Sequence, residues 1–511
     1  MPGGGEDIAD QILKTFNLPD MVGSMTSSNK LINLLRGHVT YPPWLHPPRQ
    51  LRALLPPLWP NVSLLPTQLM AKATHNALQN PSVALPAMCY GPDAGDPRLR
   101  RNVASWLTKF YQPAEPVNMD RICITGGASQ NLACLLQSFT DPVYTRNVWI
   151  VAPAYMLSFR IFEDAGFHKK LRAVPEDEEG IDIDFLRREI RKSEEKANAE
   201  GNDKPHLKPP RPSDKSYKHV IYAVPTFSNP SFKTMSLRRR EELVRLAREY
   251  DALVITDDVY DFLQWPSGLT SKTSSLEKAA LPRLVDLDRF LDGGAERDGA
   301  DGFGNAVSNG SFSKICGPGL RTGWCEGSPK LSYGVSQTGS SRSGGSPSQL
   351  TACFVAEILE SEELQRYVYD TLQPAYGSRY RRMVEAINTH LIPLGVRIPQ
   401  TDREVVGGYF IWMTLPLPLN GSVLAQRAKE EENVVVAQGE IFQVPRDTEY
   451  PGTAFGNEVR VCFAWEDEDM LAEGIERLAR VIGRMLDEED TTSDDNAALT
   501  PTTDAEPKSF W

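Results

Sequence analysis

Several things are scarce in this chain, and each scarcity closes off a class of function. Its seven cysteines, Cys89, Cys123, Cys134, Cys316, Cys325, Cys353 and Cys462, form no CxxC pair and stand in no Cys/His cluster. Their number is odd as well, so neither a zinc site nor a disulfide framework is expected, no other metal is indicated, and a reducing compartment fits best. No run of about 18 apolar residues occurs, and no basic segment leading into an apolar one opens the chain. A soluble, cytoplasmic protein without a membrane span is the expectation. Positive charge is also in deficit. Lysine and arginine number 55 against 67 aspartates and glutamates, a net charge of −12, which argues against a surface built mainly for nucleic acid.

What is present is a long globular chain. Its 511 residues, 41% of them hydrophobic, exceed one ordinary core and call for roughly three domains, or two large ones with tails. Residues 1–89 read as an N-terminal arm, Pro-rich from Tyr41 to Pro60, together with part of a small domain. From 90 to 345 an alternating pattern takes over. Asp96 and Pro97 begin a helix with Leu99, Val103, Trp106, Leu107 and Phe110 on one face. Short apolar strands follow at Arg121–Thr125, Asn147–Ala152, His219–Val224 and Ala252–Thr256, separated by helical stretches such as the one Ser236 caps. Near-continuous apolar strands alternating with helices predict an α/β fold, a mainly parallel sheet covered by helices on both faces. The charged stretch 187–216 and the polar stretch 267–309 lack periodicity and read as insertions. Residues 346–487 mix helices and strands and read as a smaller α+β domain, and 488–511 as an acidic disordered tail.

Open parallel sheets bind ligands beyond the carboxyl ends of their strands. Gly127-Ala128-Ser129-Gln130 opens a helix, where free N–H groups favour an anion, although Gly-Gly turns before helices are common. Tyr155 offers a stacking face or ordinary core packing. Asn229 offers a hydrogen bond or an Asx turn beside Pro230. Asp257 ends a strand as either a charge partner or a cap, with Tyr260 three residues on. Lys314 lies in Ser311-Phe-Ser313-Lys314-Ile-Cys-Gly-Pro-Gly-Leu-Arg321, where a strand runs into an irregular turn. A desolvated lysine can form a Schiff base with an aldehyde, and the guanidinium fork of Arg321 suits a phosphate. Aldehyde plus phosphate suggests pyridoxal phosphate.

In this order, with Tyr90, Gly95 and Leu99-Arg100 before them and Arg460 after, these pieces resemble the fold type I pyridoxal-phosphate enzymes of the aspartate aminotransferase superfamily, specifically the class I/II aminotransferases. The resemblance spans about Ile32 to Ile482. It implies that Lys314 is the Schiff-base lysine and proton shuttle, that Asp257 partners the pyridine nitrogen, and that Asn229 and Tyr260 partner the ring oxygen. It assigns Ala128, Ser129, Gln130, Ser311 and Arg321 to the phosphate cup, Ser313 to the cofactor-binding residues and Tyr155 to ring stacking. Arg460, with Asn229 beside it, is implied to hold the substrate α-carboxylate. Tyr90 is implied to reach the neighbouring subunit's phosphate, hence a homodimer. The implied reaction moves an amino group from an L-amino acid to a 2-oxo acid, 2-oxoglutarate in the expected case, by a ping-pong mechanism. Elimination, cyclisation or condensation by the same apparatus is the alternative. No second arginine is assignable to a substrate side-chain carboxylate, so the amino acid stays open. A transcription regulator with an aminotransferase-like sensor would need a basic winged-helix domain in front, and residues 1–89 are neither long nor basic enough for one.

Overall fold

The computed structural model describes residues 60–493 apart from 269–274, 400–402, 446 and 448–452. Of the expected arm, residues 1–59 with their Pro-rich stretch lie outside the described residues, as does the tail beyond Ser493. Eight strands form the central sheet: β1 (Ile122–Thr125), β2 (Val148–Ala152), β3 (Leu171–Asp177), β4 (Gly180–Ile181), β5 (His219–Ala223), β6 (Ala252–Asp257), β8 (Ala306–Ser311) and β9 (Gly323–Glu326). Their order is β1-β9-β8-β6-β5-β2-β3-β4. Pairing is parallel from β8 through β6, β5 and β2 to β3. Strand β9 runs antiparallel to both β8 and β1, which gives β1 the direction of the parallel set. The carboxyl ends of β1, β2, β5, β6 and β8 therefore share one edge.

Alternation along the strands sends side chains into two different cores. Val148, Ile150, Val220, Tyr222, Leu253, Ile255 and Val307 face one side, where Leu132, Leu135, Leu136 and Phe139 of the helix Ala128–Phe139 cover them. Trp149, Ile221, Ala223, Ala252, Val254 and Ala306 face the other, under Ile183, Leu186 and Ile190 and under Leu243, Val244 and Ala247. This is the mainly parallel sheet with helices on both faces that the strand pattern predicts. The predicted caps are present too. Asp96 Oδ1 accepts from the Leu99 N–H at 2.9 Å, and Ser236 Oγ accepts from that of Arg239 at 3.3 Å.

Three sequence expectations are corrected. The stretch 187–216 is not aperiodic throughout, because the helix Ile183–Ala199 runs into it, capped by Asp182 and burying Ile183, Leu186, Ile190 and Ala197. Its charged run hides a narrow apolar face. Within 267–309, the helix Leu284–Phe290 and β8 are integral elements. Arg283, buried at the start of that helix, pairs with Asp286 at 3.0 Å and Glu326 at 2.7 Å, and a seven-residue helix is too short to show a period. Third, the helix Glu468–Ser493 continues past 487, and Glu488 on it pairs with Arg427 at 2.6 Å.

Two small sheets complete the fold. Strand β10 (Val405–Gly407) pairs with β7 (Gln264–Pro266), and β11 (Phe410–Thr414) pairs with β13 (Glu458–Cys462), which also pairs with β12 (Ala437–Gln438). No described helix is long and apolar enough to cross a membrane. Among the described residues no three histidines, cysteines or acids gather as a metal site.

Candidate active site

The shared strand edge collects most of the residues singled out from sequence. Asp257 is the last residue of β6 and is paired in register with Asn309 on β8. Its Oδ2 accepts a hydrogen bond from the Tyr222 hydroxyl at 3.1 Å, while the buried Oδ1 has no hydrogen-bond partner. Burial pushes this carboxyl up to about 7, with Asp258 adding to the rise and the Tyr222 hydroxyl and Lys314 opposing it.

Lys314 lies three residues past the end of β8, in the turn that leads to β9. Its Nζ stands 5.8 Å from the centre of the Tyr260 ring and 5.4 Å from that of Tyr409. Burial lowers its amine to about 8, and the cation of Arg460 adds to that, against Cys462 and Asp257. The Tyr409 hydroxyl donates to the Lys314 backbone carbonyl at 2.9 Å and stands 3.2 Å from the Tyr376 hydroxyl. Tyr409 follows Gly407-Gly408. A Cβ on Gly407 would fall 2.2 Å from the Leu263 carbonyl oxygen, so glycine is what lets this segment close on the site.

Arg460 on β13 is fully buried, with its guanidinium carbon 3.9 Å from the Phe410 ring centre and 4.8 Å from that of Phe442. Nη1 donates to Asn229 Oδ1 at 2.8 Å, whereas Nε and Nη2 have no partner. Those two nitrogens line one edge of the guanidinium, the fork that meets a carboxylate in two parallel hydrogen bonds. Burial lowers Arg460 to about 10, which leaves it charged at neutral pH.

At the end of β1, Gly127 takes φ 94° as the cap of the helix Ala128–Phe139, whose first-turn N–H groups point outward. Arg321, in the left-handed region at φ 48°, lays its guanidinium against this turn, with Nη2 donating to the Gly126 carbonyl at 3.0 Å. Ser311 Oγ accepts from the Ser313 N–H at 3.1 Å and bonds the Ser313 hydroxyl at 2.9 Å. Ser129 is exposed. The Gln130 side chain turns away, accepting from the Gly126 N–H at 2.9 Å and donating to Cys134 Sγ at 2.9 Å, so its amide is occupied in closing the turn. Tyr155 caps the helix Met156–Phe162 beyond β2, and burial pushes its phenol up to about 12. Tyr90 stands apart from these residues, 89% exposed.

Sequence reasoning passed over Tyr222, Tyr409, Phe410 and Phe442. Tyr222 had a signal available, since it is the lone hydroxyl in an apolar strand and lies opposite Ile255, two residues before Asp257. The others depend on contacts between distant segments.

Among solved structures, the kynurenine aminotransferase of Pyrococcus horikoshii superposes with a TM-score of 0.67 at 24% identity, covering 94% of this chain and 100% of that one. The shared architecture is that of the fold type I pyridoxal-phosphate transaminases. The profile of the family described as aminotransferase class I and II matches residues 65–478, and the chain belongs to that family. It is 33% identical over 443 residues to an uncharacterised protein of Saccharomyces cerevisiae, covering 83% of this chain and 95% of the yeast protein. It is 27% identical over 430 residues to the 2-aminoadipate transaminase of Thermus thermophilus, covering 84% and 89%. The protein is thus a pyridoxal-phosphate-dependent transaminase. The residues at the strand edge fit that cofactor, offering a lysine of lowered basicity, a carboxylate oxygen with no protein partner and a cup of helix N–H groups.

Proposed function

We propose that the protein transfers the amino group of a large L-amino acid, aromatic or long-chained, to a 2-oxo acid such as 2-oxoglutarate, with Lys314 as the lysine that binds the cofactor and moves the proton. When bound, pyridoxal phosphate supplies an aldehyde for the amino group and a conjugated ring that accepts electrons from the α-carbon. Lys314, brought to about 8 by burial, carries a useful fraction of neutral amine at neutral pH, so its Nζ would take the α-proton and return it to the carbon that was the cofactor's aldehyde, across the transferred nitrogen. Asp257, whose buried Oδ1 has no hydrogen-bond partner, would hold the ring nitrogen and keep it protonated by charge pairing. Arg460 binds the α-carboxylate through Nε and Nη2 while Asn229 holds its remaining amino group. The helix N-terminus at Ala128 and Ser129, with Ser311, Ser313 and Arg321, binds the phosphate, and Tyr155 stacks on the ring.

The observation that carries this reading is the pair of buried, unmet groups, Asp257 Oδ1 and the Nε–Nη2 edge of Arg460, with Lys314 close by. The size of the substrate side chain is supported by relatives named for aromatic amino acids and for 2-aminoadipate. Tyr90, exposed and forward of the helix Pro97–Tyr111, reaches the phosphate of a second subunit in a homodimer.

The test offers single amino acids to the yellow holoenzyme and follows its absorbance. Bleaching of the aldehyde-type band with release of the matching 2-oxo acid, reversed by 2-oxoglutarate, is expected for aromatic amino acids or 2-aminoadipate. Release of ammonia or pyruvate without bleaching would replace transamination with elimination.

A further inference from the structure

Asp257 has two carboxylate oxygens, and the fold spends one of them. Tyr222 lies on β5, 2% exposed, in register with Ile255 of β6, so its side chain and that of Asp257 emerge on the same face of neighbouring strands. The Tyr222 ring is held edge-on against Phe162 with centroids 5.5 Å apart, and its hydroxyl donates to Oδ2 of Asp257 at 3.1 Å. Oδ1 accepts nothing from the protein. We infer that Tyr222 is a positioning residue: by occupying Oδ2 it presents Oδ1 to the ring nitrogen of pyridoxal phosphate, and by donating a hydrogen bond it keeps the shared proton on that nitrogen. The inference rests on Asp257 being the partner of the ring nitrogen, as proposed above.

The chemistry is a competition for one proton. In a buried pair of carboxylate and pyridine the proton resides on the stronger base, and a low-dielectric site strengthens the carboxylate by disfavouring its charge. Burial acts on Asp257 in that direction, and Asp258 adds to it. A hydroxyl donated to the carboxylate acts in reverse, stabilising its charged form and leaving the proton on the ring. Lys314 works on the same side through its charge but is the group that reacts, whereas Tyr222 is fixed in the sheet. A protonated ring nitrogen is what makes the cofactor a strong electron acceptor, so the tyrosine tunes the cofactor through a residue it touches, without touching the cofactor.

The experiment loads the holoenzyme with pyridoxal phosphate labelled with 15N in the ring and records the 15N chemical shift. Tyr222→Phe keeps the ring and its packing on Phe162 but removes the donor. Its signal is expected to move from the pyridinium position toward neutral pyridine, and cofactor dissociation is expected to become about tenfold more favourable, the scale of one hydrogen bond to a charged group. Incorporating 3-fluorotyrosine at 222 gives a more acidic hydroxyl and is expected to move the shift the other way. That arm decides the matter if Tyr222→Phe does not fold. A wild-type shift in Tyr222→Phe, or in the fluorinated protein when only that one folds, overturns the inference when Asp257→Asn does move the signal. If Asp257→Asn also leaves the signal in place, the assignment of Asp257 fails first and takes this inference with it.

Discussion

Asn229 Oδ1 accepts a hydrogen bond from Arg460 Nη1 at 2.8 Å, so the loop after β5 grips the guanidinium by one amino group and leaves its Nε–Nη2 edge without a hydrogen-bond partner. This contact joins two segments 231 positions apart in sequence. Arg460→Lys keeps the charge but loses the fork. It is expected to reduce kcat/KM for the amino acid roughly a hundredfold, about 3 kcal/mol of transition-state binding. Asn229→Ala keeps the fork but lets it swing, and is expected to raise KM by about tenfold. Steady-state kinetics with one amino acid at saturating 2-oxo acid measures both, and equal losses in the two variants would contradict the division of roles.

The lowered basicity of Lys314 sets a pH profile. With its amine at about 8 instead of the usual 10.5, the neutral form grows as pH rises and predominates above 8. Covalent uptake of pyridoxal phosphate by the cofactor-free protein is therefore expected to speed up about tenfold per pH unit below 8 and then level off. A rate still climbing beyond pH 9.5 would mean an ordinary lysine.

Asp257 moves the other way. Its folded carboxyl, raised from 3.8 to about 7, holds a proton that the unfolded chain has released. Its contribution to the stability of the cofactor-free protein is thus full below pH 3.8 and is lost as pH rises through about 7. Urea unfolding of Asp257→Asn is expected to show a flatter dependence on pH between these limits than the parent protein.

Tyr409→Phe removes the hydroxyl that reaches both the Lys314 carbonyl and Tyr376, while keeping the ring beside the amine. A loss of about 1–3 kcal/mol of stability is expected, the scale of one partly buried hydrogen bond removed from the Lys314 carbonyl. Tyr376→Phe, which leaves the bond to the carbonyl in place, is expected to cost less. Denaturant midpoints of the two variants decide the order.

The proposed reach of Tyr90 across a dimer makes its own prediction. Tyr90→Ala and Lys314→Ala are each expected to be nearly inactive alone. After mixing and subunit exchange, activity is expected to return to roughly a quarter of wild type, because each mixed dimer rebuilds one intact site. If Tyr90 served its own subunit, mixing would restore nothing.

The architecture was legible because β2, β5 and β6 are buried on both faces and so read as unbroken apolar runs, with Tyr155 and Asn229 following β2 and β5 and Asp257 closing β6. Asp257 and Lys314 stand out in the sequence because strand ends are where an open parallel sheet places its ligands. The helix Ile183–Ala199 was lost because its apolar residues fall about once per turn or less within a charged run. Arg283 was lost because no local pattern announces that an arginine is buried between Asp286 and Glu326. Gln130 fits its motif by position, yet its amide is spent on Gly126 and Cys134, a choice only the folded turn reveals. Tyr409 and Phe442 reach the site from later strands and turns, and sequence separation hides such contacts.

Asp257 Oδ1 is a buried polar atom with no hydrogen-bond partner in the protein, and such an atom costs on the order of 1–3 kcal/mol. A group that relieves it acts as a folding ligand as much as a reagent. At a thousand times its dissociation constant, a cofactor stabilises the native state by about 4 kcal/mol, a large part of a typical domain's margin. The cellular abundance of this enzyme should therefore follow vitamin B6 supply, with chains made during scarcity being cleared by proteolysis sooner than those made in plenty.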